Sequence, residues 1–159
     1  MSDRLLDRIQ LGRSEIARLL LEFDPLIEKG NERELDVIET AAIASMLHSF
    51  YTEIEKIIKM LAQEVDQHVP EGEFWHRDLL EQMTRSTAIR PRVISLELSD
   101  TLKEYLAFRH VFRSGSVVLM RWNKMKPLAQ RVGSTLHRFE IELDTCLKSL
   151  RDIPDASRE

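Results

Sequence analysis

The sequence predicts an all-α protein, an up-and-down four-helix bundle with one additional short helix. Three observations carry this reading. Apolar residues recur at three- and four-residue spacing along nearly the whole chain, the period of helices with one buried face. Only 5 Gly and 5 Pro punctuate 159 residues, too few for the turns of a many-stranded β fold. Hydrophobic residues at 43% and charged residues at 31% suit a globular domain able to bury a core. One Cys excludes a disulfide framework or Cys-rich zinc module and fits a reducing compartment. No run approaches ~18 consecutive apolar residues, and Met1-Ser2-Asp3-Arg4 lacks the apolar core of a signal peptide. A soluble cytoplasmic protein is the expectation, with one helical domain over residues 1–151 and a flexible tail over 152–159.

Leu5, Ile9, Gly12, Ile16, Leu19, Phe23 and Leu26 alternate by four and three, predicting a first helix over 3–29. Pro25 should kink it or restart it behind an Asp24 cap, and Gly30-Asn31 reads as its stop. Val37, Thr40, Ala44, Leu47, Tyr51, Ile54, Ile58, Leu61 and Val65 form the seam of the second helix, closed by Pro70-Glu71-Gly72. A short helix is expected over 74–83, then a connection over 84–91. The fourth helix spans 95–113 and ends at Ser114-Gly115-Ser116. Residues 117–123 read as an ordered loop. The last helix spans 125–151, turning Leu128, Val132, Leu136, Phe139, Leu143, Leu147 and Leu150 inward, with Cys146 as a small core residue.

Charge is unevenly distributed. From Gln82 to Arg138 stand eleven cations, Arg85, Arg90, Arg92, Lys103, Arg109, Arg113, Arg121, Lys124, Lys126, Arg131 and Arg138, against Glu97, Asp100 and Glu104. The segment therefore carries +8 and the remainder −12, within a formal net charge of −4. Such a zone can attract phosphate even on an acidic molecule, or it can pack against the acidic part of the same fold.

One cation interrupts an apolar stripe. Leu98, Leu102, Tyr105 and Phe112 define the inward face of the fourth helix, and Arg109 completes it. At about 100° per residue Arg109 lies near the centre of the arc, with Arg113 roughly 40° away. Burying a guanidinium unpaired costs several kcal/mol. Either a carboxylate such as Glu55 or Glu39 meets it, or it lines a cavity for phosphate. His110 shares a face with Ser114, four residues on, and beside two arginines it could serve as an acid/base group. His48, His68, His76 and His137 are scattered, and His76 beside Trp75 reads as an anchor for the short helix. No metal-ligand cluster, phosphate loop, nucleophile elbow or GxGxxG stands in the chain, so no metal and no cofactor are expected.

Around Arg109 the run Tyr105-Leu106-Ala107-Phe108-Arg109-His110-Val111-Phe112-Arg113 resembles the HepT-like branch of the HEPN superfamily. Ser49-Phe50-Tyr51-Thr52-Glu53-Ile54-Glu55 resembles that family's Tyr/Glu stretch, and Phe74-Trp75-His76-Arg77-Asp78-Leu79-Leu80 its Trp-His element. Arg90-Pro91-Arg92-Val93-Ile94-Ser95 leads into the motif helix in the same way, and Lys124-Met125-Lys126-Pro127-Leu128 follows it. The resemblance extends over residues 1–150. It implies a helical bundle that dimerises with its motif helices together, a metal-independent RNase toxin. It also implies, as partner, an MNT-type nucleotidyltransferase antitoxin that adds AMP to it. The family motif is Arg, four residues, His, one residue, Tyr. By that resemblance Arg109, with Arg113, holds the scissile phosphate of an RNA such as tRNA or mRNA.

Counted from Arg109, the His position is Ser114 and the nucleotide-accepting Tyr position is Ser116. A serine hydroxyl does not shuttle protons near neutral pH, and such help is typically worth about 10² to 10⁴ in rate. Catalysis by Arg109, His110 and Ser114 is thus expected to be weakened or lost, with His110, one turn below Ser114, as the substitute proton carrier. Ser116 keeps a hydroxyl that could accept a nucleotide. The alternative expectation is a non-catalytic partner or substrate-binding subunit of a nucleotidyltransferase. A third is a purely structural bundle with Arg109 in a buried ion pair.

Overall fold

A computed structural model describes residues 1–152, and among them the secondary structure is entirely helical. The elements are α1 (Asp3–Glu32), α2 (Val37–Glu64), α3 (Trp75–Met83), α4 (Leu96–Ser114) and α5 (Trp122–Asp152), with a single 3₁₀ turn at Val117–Leu119 before α5. Contacts between helices set their directions. Arg8 reaches Glu64 and Gly12 faces Ile57, so α1 and α2 run antiparallel. The His48 ring lies 5.0 Å from that of Phe112, and Phe50 meets Tyr105 edge-on at 5.1 Å, across α2 and α4. Glu104 bonds Arg131 and Glu97 bonds Arg138 across α4 and α5. Four helices thus alternate up and down, and α3 is inserted in the connection from α2 to α4.

Local chemistry accounts for the starts. Ser2 caps α1 by accepting from the Leu5 N–H. Asp36 and Glu39 form a reciprocal capping box on α2, and Ser95 accepts from the Leu98 N–H at 3.1 Å. Such caps satisfy donors that the first helical turn leaves open.

The expected stripe of α5 is buried throughout, and that of α4 is buried except for Phe112, which is half-buried. In α1, Leu5, Ile9, Gly12 and Ile16 are buried, whereas Leu19, Phe23 and Leu26 are half-buried and Ile27 and Gly30 take over. In α2 the single predicted seam is only half of the buried surface. Ile43, Met46, Phe50, Glu55, Ile57 and Ala62 are buried as well, while Val37 at the end is exposed. The reason is position: α2 packs against α1, α3, α4 and α5 together. Cys146 is in the core, and burial pushes its thiol up to about 11.

Several boundaries differ from expectation. α1 passes through Pro25 without interruption, and the expected Asp24 restart is absent. Pro25 and Leu21 are exposed, so the Leu21 carbonyl that loses its helical donor faces water. Gly30 does not stop the helix. It is buried because a Cβ there would lie 2.3 Å from Trp122 Cζ2, so it is a packing glycine. The same contact moves the start of α5 from Met125 to Trp122, whose side chain is buried. The tail expected over 152–159 lies outside the described residues apart from Asp152, which is helical.

Gly30→Ala is therefore expected to destabilise by about 1–3 kcal/mol through overpacking, against the usual helical gain from alanine. Gly133→Ala, where a Cβ meets nothing within 4 Å, should instead stabilise by about 0.5–1 kcal/mol. Urea unfolding of the two variants beside the parent checks both signs.

Candidate functional site

Two arginines are buried, and they differ in every bond. Arg90, read from sequence as part of a connecting segment, is 2% exposed. All five of its N–H donors are used. Nε and Nη2 donate to the Asp66 carboxylate, Nη1 to the Arg85 and Pro91 carbonyls at 2.9 and 3.1 Å, and Nη2 also to the Gln82 carbonyl at 3.3 Å. Gln82 Nε2 donates to the same Asp66 at 2.6 Å. This arrangement ties the ends of α2 and α3 to the strap leading into α4.

Arg109 is 9% exposed on the inward face of α4, and its Nε and Nη1 are buried without a hydrogen-bond partner. Neither carboxylate that could have met it does so. Glu39 lies at the α1–α2 corner, bonded by Arg33 and Lys29, whose hydrogen bonds hold its carboxyl down at about 2. Glu55, also buried, accepts from His76 Nδ1 at 2.7 Å. Arg109 makes no ion pair among the described residues. Of the two settings the sequence allows for Arg109, the structural ion pair is not formed.

Polar atoms of α2 are also short of partners, and His48 and Tyr51 lie near enough to feel the charge of Arg109. His48 Nδ1, Tyr51 Oη and Thr52 Oγ1 on α2 are buried without hydrogen bonds. Burial holds the His48 imidazole below its usual value, and the charges of Arg109 and Arg113 add to the effect. Burial raises the Tyr51 phenol, helped by the nearby Glu55 carboxylate and opposed by Arg109. Buried polar atoms are normally hydrogen-bonded. The orphaned atoms of α2 and the unpaired Arg109 depart from that pattern.

The other candidate residues divide between this cluster and its rim. His110 is exposed, and its ring stands 5.9 Å from that of His76, edge-on at 83°. Arg113 is exposed in the last turn, near enough for its charge to be felt at His48. Ser114 ends α4 and turns its hydroxyl back to donate to the His110 carbonyl at 2.8 Å. Ser116 lies beyond the helix, exposed, its carbonyl accepting from the Leu119 N–H. Arg109, His110, Arg113 and Ser114 thus share the C-terminal end of α4, and Ser116 lies just beyond it.

The α2 side was readable only in part. His48, Thr52 and Glu55 follow four- and three-residue spacing along α2. The Glu55–His76 bond joins residues 21 apart, and no local pattern announces it. Beyond the site, the basic zone is neutralised unevenly. Arg90, Lys103, Arg131 and Arg138 pair with Asp66, Glu81 and Asp100, Glu104, and Glu97 with Glu142. Arg85, Arg92, Arg109, Arg113, Arg121, Lys124 and Lys126 make no ion pair among the described residues, and the last five follow one another from the end of α4 to the first turns of α5. No group of three His, Cys, Asp or Glu among the described residues is placed to hold a metal ion. No helix among them is long and apolar enough to cross a membrane.

No curated protein and no solved structure matches the chain. A family model described as HepT-like protein matches residues 42–150. That span runs from the first turns of α2 through α5 and contains the α2 stripe, the Trp75-His76 element and the arginines of α4. The chain belongs to the HepT-like family of the HEPN superfamily.

Proposed function

We propose that the chain is the toxin-type subunit of a toxin–antitoxin pair, a HEPN endoribonuclease that grips an RNA phosphate with Arg109 and Arg113. Its motif-based cleavage is weakened because the His and Tyr positions are Ser114 and Ser116. The observation that carries this reading is the buried, unpartnered guanidinium of Arg109, with both candidate carboxylates engaged elsewhere. With no carboxylate meeting it, a phosphate is the remaining acceptor whose geometry a fork of N–H donors matches, and the unpaired cations that follow along the chain raise its local concentration.

The partner in this reading is an MNT-type nucleotidyltransferase antitoxin, and the working unit is a homodimer with its two α4 helices together. Val111, Val118 and Leu119 are 58%, 73% and 73% exposed, apolar surface at the end of α4 that a second copy would cover.

A second reading is favoured by one specific bond. The Ser114 hydroxyl donates into its own helix, which suits a subunit that binds RNA or a nucleotidyltransferase substrate without cutting it. Incubating purified protein with total RNA and tRNA in EDTA, beside a Ser114→His/Ser116→Tyr variant, separates the two. The expected result is cleavage by the parent, slower than by the variant. RNA binding without cleavage by either protein favours the binding subunit.

A further inference from the structure

Outside the family motif, Glu55 and His76 form a constrained titratable pair at the α2–α3 contact. The Glu55 side chain is 7% exposed and that of His76 14%. The bond between Glu55 Oε2 and His76 Nδ1 is 2.7 Å. Trp75 stacks on the imidazole with ring centroids 3.7 Å apart, and Lys59 Nζ lies 4.7 Å above the Trp75 ring. The ring is held in plane by a stack and in rotation by a carboxylate. A carboxylate on Nδ1–H fixes the tautomer and leaves Nε2 as the basic nitrogen. Across from it stands His110, exposed and therefore able to turn, its ring centroid 5.9 Å away. Arg109 immediately precedes His110 on the same helix.

We propose that His76, oriented by Glu55, is the general base of this site and His110 its general acid, so that proton transfer does not depend on the Ser114 position. This rests on the phosphate reading of Arg109 given above. The step balances without any further reactant. His76 Nε2 takes the proton of the ribose 2′-OH as the 2′ oxygen bonds to phosphorus. The bond from phosphorus to the 5′ oxygen breaks, its electron pair leaving with that oxygen, which takes a proton from the His110 imidazolium. The products are a 2′,3′-cyclic phosphate and a 5′-hydroxyl end, and solvent returns each imidazole to its starting state. Arg109 faces the non-bridging oxygens, where negative charge grows in the transition state. Glu55 is a positioning residue. It touches His76 and not the RNA.

A purely structural role for the pair, anchoring α3 to α2, makes a different prediction. His76→Asn keeps an amide N–H where Nδ1 was, so the bond to Glu55 can persist while the basic nitrogen is deleted. Cleavage of tRNA in EDTA by this variant is expected to fall by about 10² to 10⁴, with tRNA affinity and melting temperature close to the parent's. Glu55→Gln should lower kcat with KM nearly unchanged. The two histidines are told apart by an RNA substrate whose scissile 5′ oxygen is replaced by sulfur, a leaving group that needs no proton. That substrate should restore cleavage by His110→Ala and fail to restore His76→Asn.

If the parent cleaves and Arg109→Ala does not, while His76→Asn cleaves like the parent, the assignment of His76 is overturned and the phosphate reading stands. If the parent binds tRNA through Arg109 but never cleaves it, the acid–base pair is likewise overturned and the binding site remains. If Arg109→Ala leaves both binding and cleavage unchanged, the phosphate reading itself falls, and this inference with it.

Discussion

Arg90→Met is expected to destabilise the protein by about 3–5 kcal/mol, the usual cost of removing one partner from a buried ion pair. For a chain of this size that corresponds to a drop in melting temperature on the order of 10 °C. The loss has two sources. Asp66 would keep its charge in a place from which water is excluded, and the Arg85, Pro91 and Gln82 carbonyls would lose their donor. Asp66→Asn should cost less, because an amide still accepts from Arg90 Nε while Gln82 retains its bond to the His68 carbonyl. The double variant Arg90→Met/Asp66→Leu should recover part of the loss, since neither charge is then stranded. Chemical unfolding of the three variants measures this directly. A cost below about 1 kcal/mol for Arg90→Met would mean that the strap is held by the packing of Val93 and Ile94 instead. Both are buried and bonded to the Met83 carbonyl. Because the same network seats α3, Arg90→Met should also loosen His76, and RNA cleavage should fall with stability. His76→Asn, by contrast, should lower cleavage alone.

The contrast between the two buried arginines shows what a sequence can and cannot reveal. Arg109 stands out because it occupies a position in a helical period, so its neighbours on the helix face are known and all apolar. Arg90 lies in a segment without a period. There a charged residue reads as solvated, although all five donors are satisfied by groups up to 24 residues away. The same distinction explains Gly30, whose meaning depends on Trp122, a residue contributed by a different helix. It explains the second buried face of α2 as well: periodicity reports one stripe, whereas a central helix is covered on several sides. The core of α1, α4 and α5 was legible because each buries a single face. The surroundings of Arg109 were half legible. The cations announce themselves by breaking the apolar pattern, but which carboxylate would be left to meet Arg109 depends on the His76–Glu55 contact across two helices.

Arg109→Met should leave stability unchanged or raise it, while RNA affinity falls by about 10- to 100-fold, the worth of hydrogen bonds to a charged group. The two halves of this expectation depend on one another. No carboxylate loses a partner when Arg109 is replaced, since it pairs with none among the described residues, and methionine fills the buried volume without the guanidinium's desolvation cost. The slope of log affinity against log salt should shrink by about one phosphate contact. His48 supplies an independent readout, because Arg109 and Arg113 both push its imidazole down. Removing one of them should move its titration, followed by NMR, back toward the ordinary value of about 6.5. The sign for stability follows. A histidine held low in the folded state contributes stability that is fully present above its unfolded value and is lost as pH falls through the folded one. In Arg109→Met that acid loss should be smaller. A variant that melts several degrees lower while binding tRNA as tightly as the parent would make Arg109 a structural residue. Under that outcome the orphaned Tyr51 and Thr52 hydroxyls would be satisfied within the fold, and the phosphate reading would have to be abandoned.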